Sequence, residues 1–230
     1  MARIMWAILQ NQLIMNKTTK ITSIVAVAIV VAIFLTSFSF LEKISPPSPS
    51  MSTSAVTLKT NMRKLWEDHV TWTRNVIFCI MDDLPGTDQA VTRLLKNQDD
   101  IGDAIKPVYG DEAGNKLAAL LHTHITQAAD LLKAAKKGDQ TAQDAVTKKW
   151  FENADEISEF LSKANPNWKL EDMKEMMHDH LKLTTNEAVA RLKKDYPGDV
   201  VAYDKVHDEI LKMSDMLTDG IIKQYPDKFK

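Results

Sequence analysis

The chain has a single cysteine, only seven glycines among 230 residues, and few aromatic side chains, and each shortage excludes something. A lone Cys79 rules out an internal disulfide and a four-cysteine zinc site. Its apolar neighbours Ile77, Phe78 and Ile80 predict a buried, unreactive thiol. With no glycine cluster there is no loop to cradle a phosphate. Beyond the N-terminal region β-branched runs are short, so a sheet-based enzyme fold is not expected. Of the 29 lysines and arginines only Arg3, Lys17, Lys20 and Lys43 precede residue 58, and of the 31 acids only Glu42 does. The remainder therefore carries a mild acidic excess and no basic, aromatic-laced stripe, which argues against nucleic-acid binding.

What is present is helix vocabulary, with Ala, Leu, Lys, Glu, Asp and Met dominating. Between Lys20 and Glu42 no residue is charged, and Ile21 to Leu41 is long enough to cross a bilayer as a helix. Lys17 and Lys20 on its N-terminal side predict an N-inside, single-pass arrangement with the rest of the chain outside the cytoplasm. The rival reading is a cleaved signal peptide, which would leave a secreted protein. Met15 opens a more conventional leader, so the start falls at Met1 or Met15. The expected organisation is a cytoplasmic segment 1–20, a membrane anchor or signal segment 21–41, a Pro/Ser-rich linker 42–57 and an extracytoplasmic domain 58–230.

Within that domain apolar residues recur at three- and four-residue spacing. Helices are predicted from Thr57 to Asp83, Asp88 to Lys106 with a stop at Pro107, Asp111 to Lys137, Asp139 to Lys163, Leu170 to Lys194 and Asp199 to Lys223. An irregularity is expected near Leu183-Thr184-Thr185 and a turn at Tyr196-Pro197-Gly198. The fold class is all-α, an up-and-down helical bundle of four long helices plus one or two shorter ones, behind one N-terminal transmembrane or signal helix. Met173, Met176, Met177, Met213 and Met216 read as core filler. Trp72-Thr73-Arg74 suggests either an aromatic–cation pocket or a surface ion pair.

All six histidines fall in four matched pentapeptides: Trp66-Glu67-Asp68-His69-Val70, Leu121-His122-Thr123-His124-Ile125, Met177-His178-Asp179-His180-Leu181 and Val206-His207-Asp208-Glu209-Ile210. The first, fourth and fifth positions share a helix face, and the third points away. The fourth-position set, His69, His124, His180 and Glu209, is therefore the candidate metal site, a nitrogen–oxygen set suited to Zn, Fe, Mn or Cu. The second-position set, Glu67, His122, His178 and His207, lies on the opposite flank and would supply supporting partners or bind separately. For any one of these histidines an ordinary hydrogen-bonded boundary residue is the default; their joint confinement to matched positions favours a site. Glu175-Met176-Met177-His178 fits the Glu-x-x-His element of di-iron bundles, but the helix around His122 has no matching glutamate and Glu175 falls on the polar side.

The segments Leu65 to Arg74, Asp100 to Pro107, Asn153 to Ile157 and Ser214 to Ile221 resemble an uncharacterised family of bacterial helical proteins, over nearly all of residues 60 to 230. Its members have no established activity, and some carry automatic labels such as acetylglutamate kinase or glycosyltransferase. Neither label suits this chain, which lacks the α/β sheet and glycine-rich loops both chemistries need. The expected function is a non-enzymatic, membrane-tethered bundle that binds a metal ion or small ligand through the histidine layer. The alternatives are a cofactor-free interaction or structural module, meeting envelope proteins or further copies of itself, and a metal-dependent redox enzyme.

Overall fold

Ser52 caps the first helix among the described residues, its Oγ accepting from Ala55 N at 3.2 Å. The structure, a computed structural model, describes residues 51–230; the expected cytoplasmic segment 1–20, the expected membrane anchor or signal segment 21–41 and residues 42–50 of the expected linker lie outside them. Six helices follow: α1 (Thr53–Met81), α2 (Thr87–Tyr109), α3 (Asp111–Lys137), α4 (Gln140–Ala164), α5 (Leu170–Leu192) and α6 (Tyr196–Gln224), then a short 3-10 turn at Pro226–Phe229. There is no strand among the described residues, and no described helix is long and apolar enough to cross a membrane.

Four expectations about boundaries change. Residues 53–57, expected in the linker, are helical because Ser52 supplies the cap. α2 runs through Pro107 to Tyr109: proline's fixed φ suits a helix, and near the C-terminus only one backbone bond is forfeited. Tyr109 is then held by Asn165 Nδ2 at 2.9 Å and itself donates to Gln224 Oε1 at 2.8 Å. Tyr196 and Pro197 open α6 rather than forming a turn, since proline is favoured in a first helical turn and Asp195 accepts from Gly198 N. α5 is unbroken through Thr184-Thr185, where a propensity deficit of about half a kilocalorie per threonine is outweighed by burial of Met177, Leu181 and Ala188, at about 1.5–3 kcal/mol for each large side chain.

Each helix packs on its chain neighbour, α6 closes back on α1, and α1 also touches α3 and α5 across the middle. The result is a ring of three helical hairpins, α1–α2, α3–α4 and α5–α6. The hairpins are repeats of one another. Along the first helices Met62, Leu117 and Met173, then Trp66, Leu121 and Met177, then His69, His124 and His180 recur 55 or 56 positions apart. Along the second helices the set is Leu94, Trp150 and Val206, then Ile101, Ile157 and Met213, then Ile105, Leu161 and Leu217. All of these are buried. Residues 51–230 form a compact unit with a continuous apolar core. Met173, Met177 and Met213 are indeed core, whereas Cys79 is half-buried rather than enclosed.

Candidate functional site

The repeat carries the three histidines of the first helices to one level in the middle of the ring. His69, His124 and His180 are 3 %, 3 % and 5 % exposed, and all three line one cavity with Trp66, Leu121 and Met177. The ring centroids of His69 and His180 are 5.7 Å apart. The free volume is about 30 Å³, room for a water or two or for one ion.

Each imidazole is held from behind by the second helix of its own hairpin. His124 Nδ1–H donates to Asn153 Oδ1 at 3.0 Å, and Asn153 Nδ2 donates to Leu120 O at 3.2 Å. His180 Nδ1–H donates to Glu209 Oε2 at 2.8 Å. Gln98 Nε2 lies 3.2 Å from His69 Nδ1 and also donates to Leu94 O at 2.9 Å, leaving Gln98 Oε1 buried without a partner. Asn97 repeats the Asn153 contact by donating to Leu65 O at 3.0 Å. The hydrogen bonds of the described residues engage only the Nδ1 atoms of these rings, so the Nε2 side of each is uncommitted.

Burial favours the neutral form of His69 and His124. His69 is pushed well below its ordinary pKa by desolvation first, then by His180 and His124. His124 is pushed down to about 3, again by desolvation and then by His180. Neutral imidazoles are what a metal requires. Even so, among the described residues no three His, Cys, Asp or Glu side chains stand within ligating reach of one point.

The fourth-position set is thus only partly brought together. Three imidazoles share the cavity, while Glu209, half-buried on α6, stands behind His180 as its acceptor. The match at Val206–Ile210 is with the second helix of the third hairpin, so the true repeat is threefold. The second-position residues do not support the layer at all. They seal the outer seams between hairpins: His122 Nε2 meets Asp99 Oδ1 at 2.9 Å, His178 Nε2 meets Asp155 Oδ1 at 2.9 Å, and His207 Nε2 meets Glu67 Oε1 at 3.3 Å. Supporting contacts instead come from Gln98 and Asn153, which sequence reasoning missed. The signal was a polar side chain beside the apolar face at one repeat position, the amides Asn97 and Asn153 and the carboxylate Glu209. Glu175 is exposed, in keeping with rejection of the di-iron pattern.

A second polar cluster lies nearer the far end. Arg74 Nη1 donates to Glu187 Oε1 at 2.5 Å and to Asp199 Oδ1 at 2.8 Å, and Arg191 bridges Asp199 and Asp82. Phe78 is clasped between the two guanidiniums, 4.5 Å from Arg74 and 3.9 Å from Arg191. Tyr203 takes the other side of Arg74 at 4.5 Å, so Arg74 does sit in an aromatic pocket, though Trp72 stacks under Arg93 instead. Glu187 is pushed up to about 7 by burial, against the pull of Arg74.

Fold and site define an all-helical bundle built from a triplicated hairpin around a buried imidazole layer. Comparisons with protein families, with curated proteins and with solved structures return no match.

Proposed function

We propose that the protein is a membrane-tethered, extracytoplasmic binding protein, in the helical family its segments resemble, whose central layer takes up one transition-metal ion. The observation that carries this reading is the set of three buried imidazoles at repeat-matched positions on one cavity, each with Nδ1 engaged by a side chain from the second helix of its own hairpin. That is the support pattern of histidine ligands, in which the second ring nitrogen is fixed by a carboxylate or carbonyl oxygen. A three-histidine set with an open position suits zinc, and imidazole also serves iron, manganese and copper. Binding requires the rings to close inward. It also requires His69 to carry its proton on Nδ1, with the Gln98 amide turned so that its now unpartnered Oε1 accepts it. No reaction is assigned.

The test is elemental analysis of tag-free residues 51–230 after exposure to Zn, Fe, Mn and Cu and removal of excess metal. About one ion per chain, lost in His124→Ala and in His180→Ala while their helical spectra persist, supports the site. Absence of stoichiometric metal in the wild type refutes it.

A second reading is a cofactor-free interaction module of the cell envelope. It is favoured by the want of three ligands within reach of one point, and by Leu84, Leu192, Tyr196, Val200 and Val201, large apolar side chains exposed around the far end. Their exposure suits a partner protein or a second copy. The same metal analysis separates the two readings.

A further inference from the structure

The threefold repeat leaves one seam between hairpins short of side chains. In the seam between α6 and α1, Arg74 donates to Asp199 Oδ1 at 2.8 Å, and its guanidinium stacks 4.5 Å from the rings of both Phe78 and Tyr203. In the repeat register the matching positions of the seam between α4 and α5 are Thr185 for Arg74, Val189 for Phe78, Gln143 for Asp199 and Thr147 for Tyr203. Three of the four are much smaller, and all four line a cleft of about 350 Å³. The Thr185 hydroxyl turns back to Leu181 O at 2.8 Å, along its own helix. At the same positions the seam between α2 and α3 carries Ala129, Lys133, Thr87 and Val91, and there the surface groove is edged by lysines with no aromatic side chain in its wall.

The size of the α4–α5 cleft is within the range of small-molecule sites. Its walls are mostly apolar and include Trp150 and Phe151, so an entering ring meets aromatic surface. Of the residues lining it, the charged ones, Asp144 and Lys182, are exposed. In the α6–α1 seam the charge of Arg74 answers the buried carboxylates of Glu187 and Asp199, and the α4–α5 cleft has no buried carboxylate in its wall to answer. What the cleft lacks relative to its counterpart is therefore the two rings, those of Phe78 and Tyr203, and not the cation.

We propose that the α4–α5 cleft binds a neutral small molecule of two aromatic rings, which fills the space that Phe78 and Tyr203 fill in the α6–α1 seam. The site is separate from the histidine layer, whose cavity of about 30 Å³ is too small for such a molecule, so neither reading depends on the other.

The test titrates ¹⁵N-labelled residues 51–230, a compact unit with its own apolar core, with 2-naphthol and with its saturated counterpart decahydro-2-naphthol, in chelator so that no metal contributes. Expected are saturable shifts of the Gln143, Thr147, Thr185 and Val189 amides with 2-naphthol, and binding of the saturated compound weaker by about two- to ten-fold, the worth of one aromatic pairing. Thr147→Tyr with Val189→Phe rebuilds the side chains of the α6–α1 seam, and should abolish binding while the helical spectrum is kept. Val189→Phe alone changes a side chain that is 38 % exposed, which spares the fold, and should weaken binding in the same direction. No saturable shift at the four amides of the wild type, equal or tighter binding of the saturated compound, or undiminished affinity in the folded Val189→Phe variant each overturns the proposal.

Discussion

Acidifying the metal-free protein probes the buried histidines directly. His124 titrates at about 3 in the folded protein and His69 well below 6.5, while both return to about 6.5 on unfolding. Between those values the unfolded chain takes up protons that the folded one refuses. The stability contributed by both is therefore full above about pH 6.5 and falls as the pH falls. One pH unit is worth about 1.4 kcal/mol per group, so moving from pH 6.5 to 5 removes about 2 kcal/mol through His124, and His69 adds a loss of the same sign. Glu187 acts in the opposite direction. Its folded pKa of about 7 lies above the ordinary 4.5, so its contribution is full below 4.5 and lost as the pH rises through 7; the same acidification restores about 2 kcal/mol. The His124 and Glu187 contributions nearly cancel, so the net is a loss carried by His69, seen as a melting temperature that falls on acidification. Urea and thermal unfolding followed by circular dichroism in chelator would read it. Glu187→Gln removes the opposing contribution and should deepen the loss by about 2 kcal/mol. A wild-type profile that is flat or rises toward pH 5, or a Glu187→Gln profile with unchanged slope, would refute the reasoning.

Three further outcomes are expected. Arg74→Ala leaves Glu187 and Asp199 buried with far less compensation and should destabilise by about 3–5 kcal/mol at pH 7 in urea unfolding; Arg74→Lys should not restore it, because the forked contact and the stacking on Phe78 and Tyr203 are both lost. Gly102→Ala places a Cβ 2.5 Å from Gly114 O and 2.9 Å from the Ala118 Cβ, so α2 and α3 must separate. Its urea midpoint should drop by the equivalent of about 1–3 kcal/mol, despite alanine's better helix propensity. Asn153→Ala frees the His124 ring and should weaken metal affinity about 10–100-fold, read by competition with a coloured chelator, alongside a loss of about 1–3 kcal/mol in stability.

The helices, their buried faces and the matched placement of the histidines were legible because 3.6-residue periodicity and capping are local properties. The threefold character was not. The pentapeptide match set His207 and Glu209 beside His122 and His124, whereas the ring sets Glu209 beside Asn97 and Asn153, and those share no side-chain chemistry with histidine. Equivalence shows only when Leu94, Trp150 and Val206, a leucine, an indole and a valine, are seen to fill one position, since packing constrains burial more tightly than identity. The Arg74 cluster was hidden for a related reason: Glu187 and Asp199 look like ordinary surface acids until α5 and α6 fold over Arg74. Straight passage through Thr184-Thr185 likewise depended on tertiary burial overriding local preference.

Ser52 Oγ donates to Phe229 O, so the two ends meet at one pole, together with Gly110 and the Asn165–Lys169 connection. The opposite pole holds the three hairpin turns, one of them closed by Gly138 in the left-handed conformation. Because α6 packs on α1 much as each earlier hairpin packs on the next, no hairpin is intrinsically first. A chain in which residues 52 and 229 are joined by a short linker and new ends are cut between Gly138 and Asp139 would traverse the same ring in a different order, with every buried contact preserved.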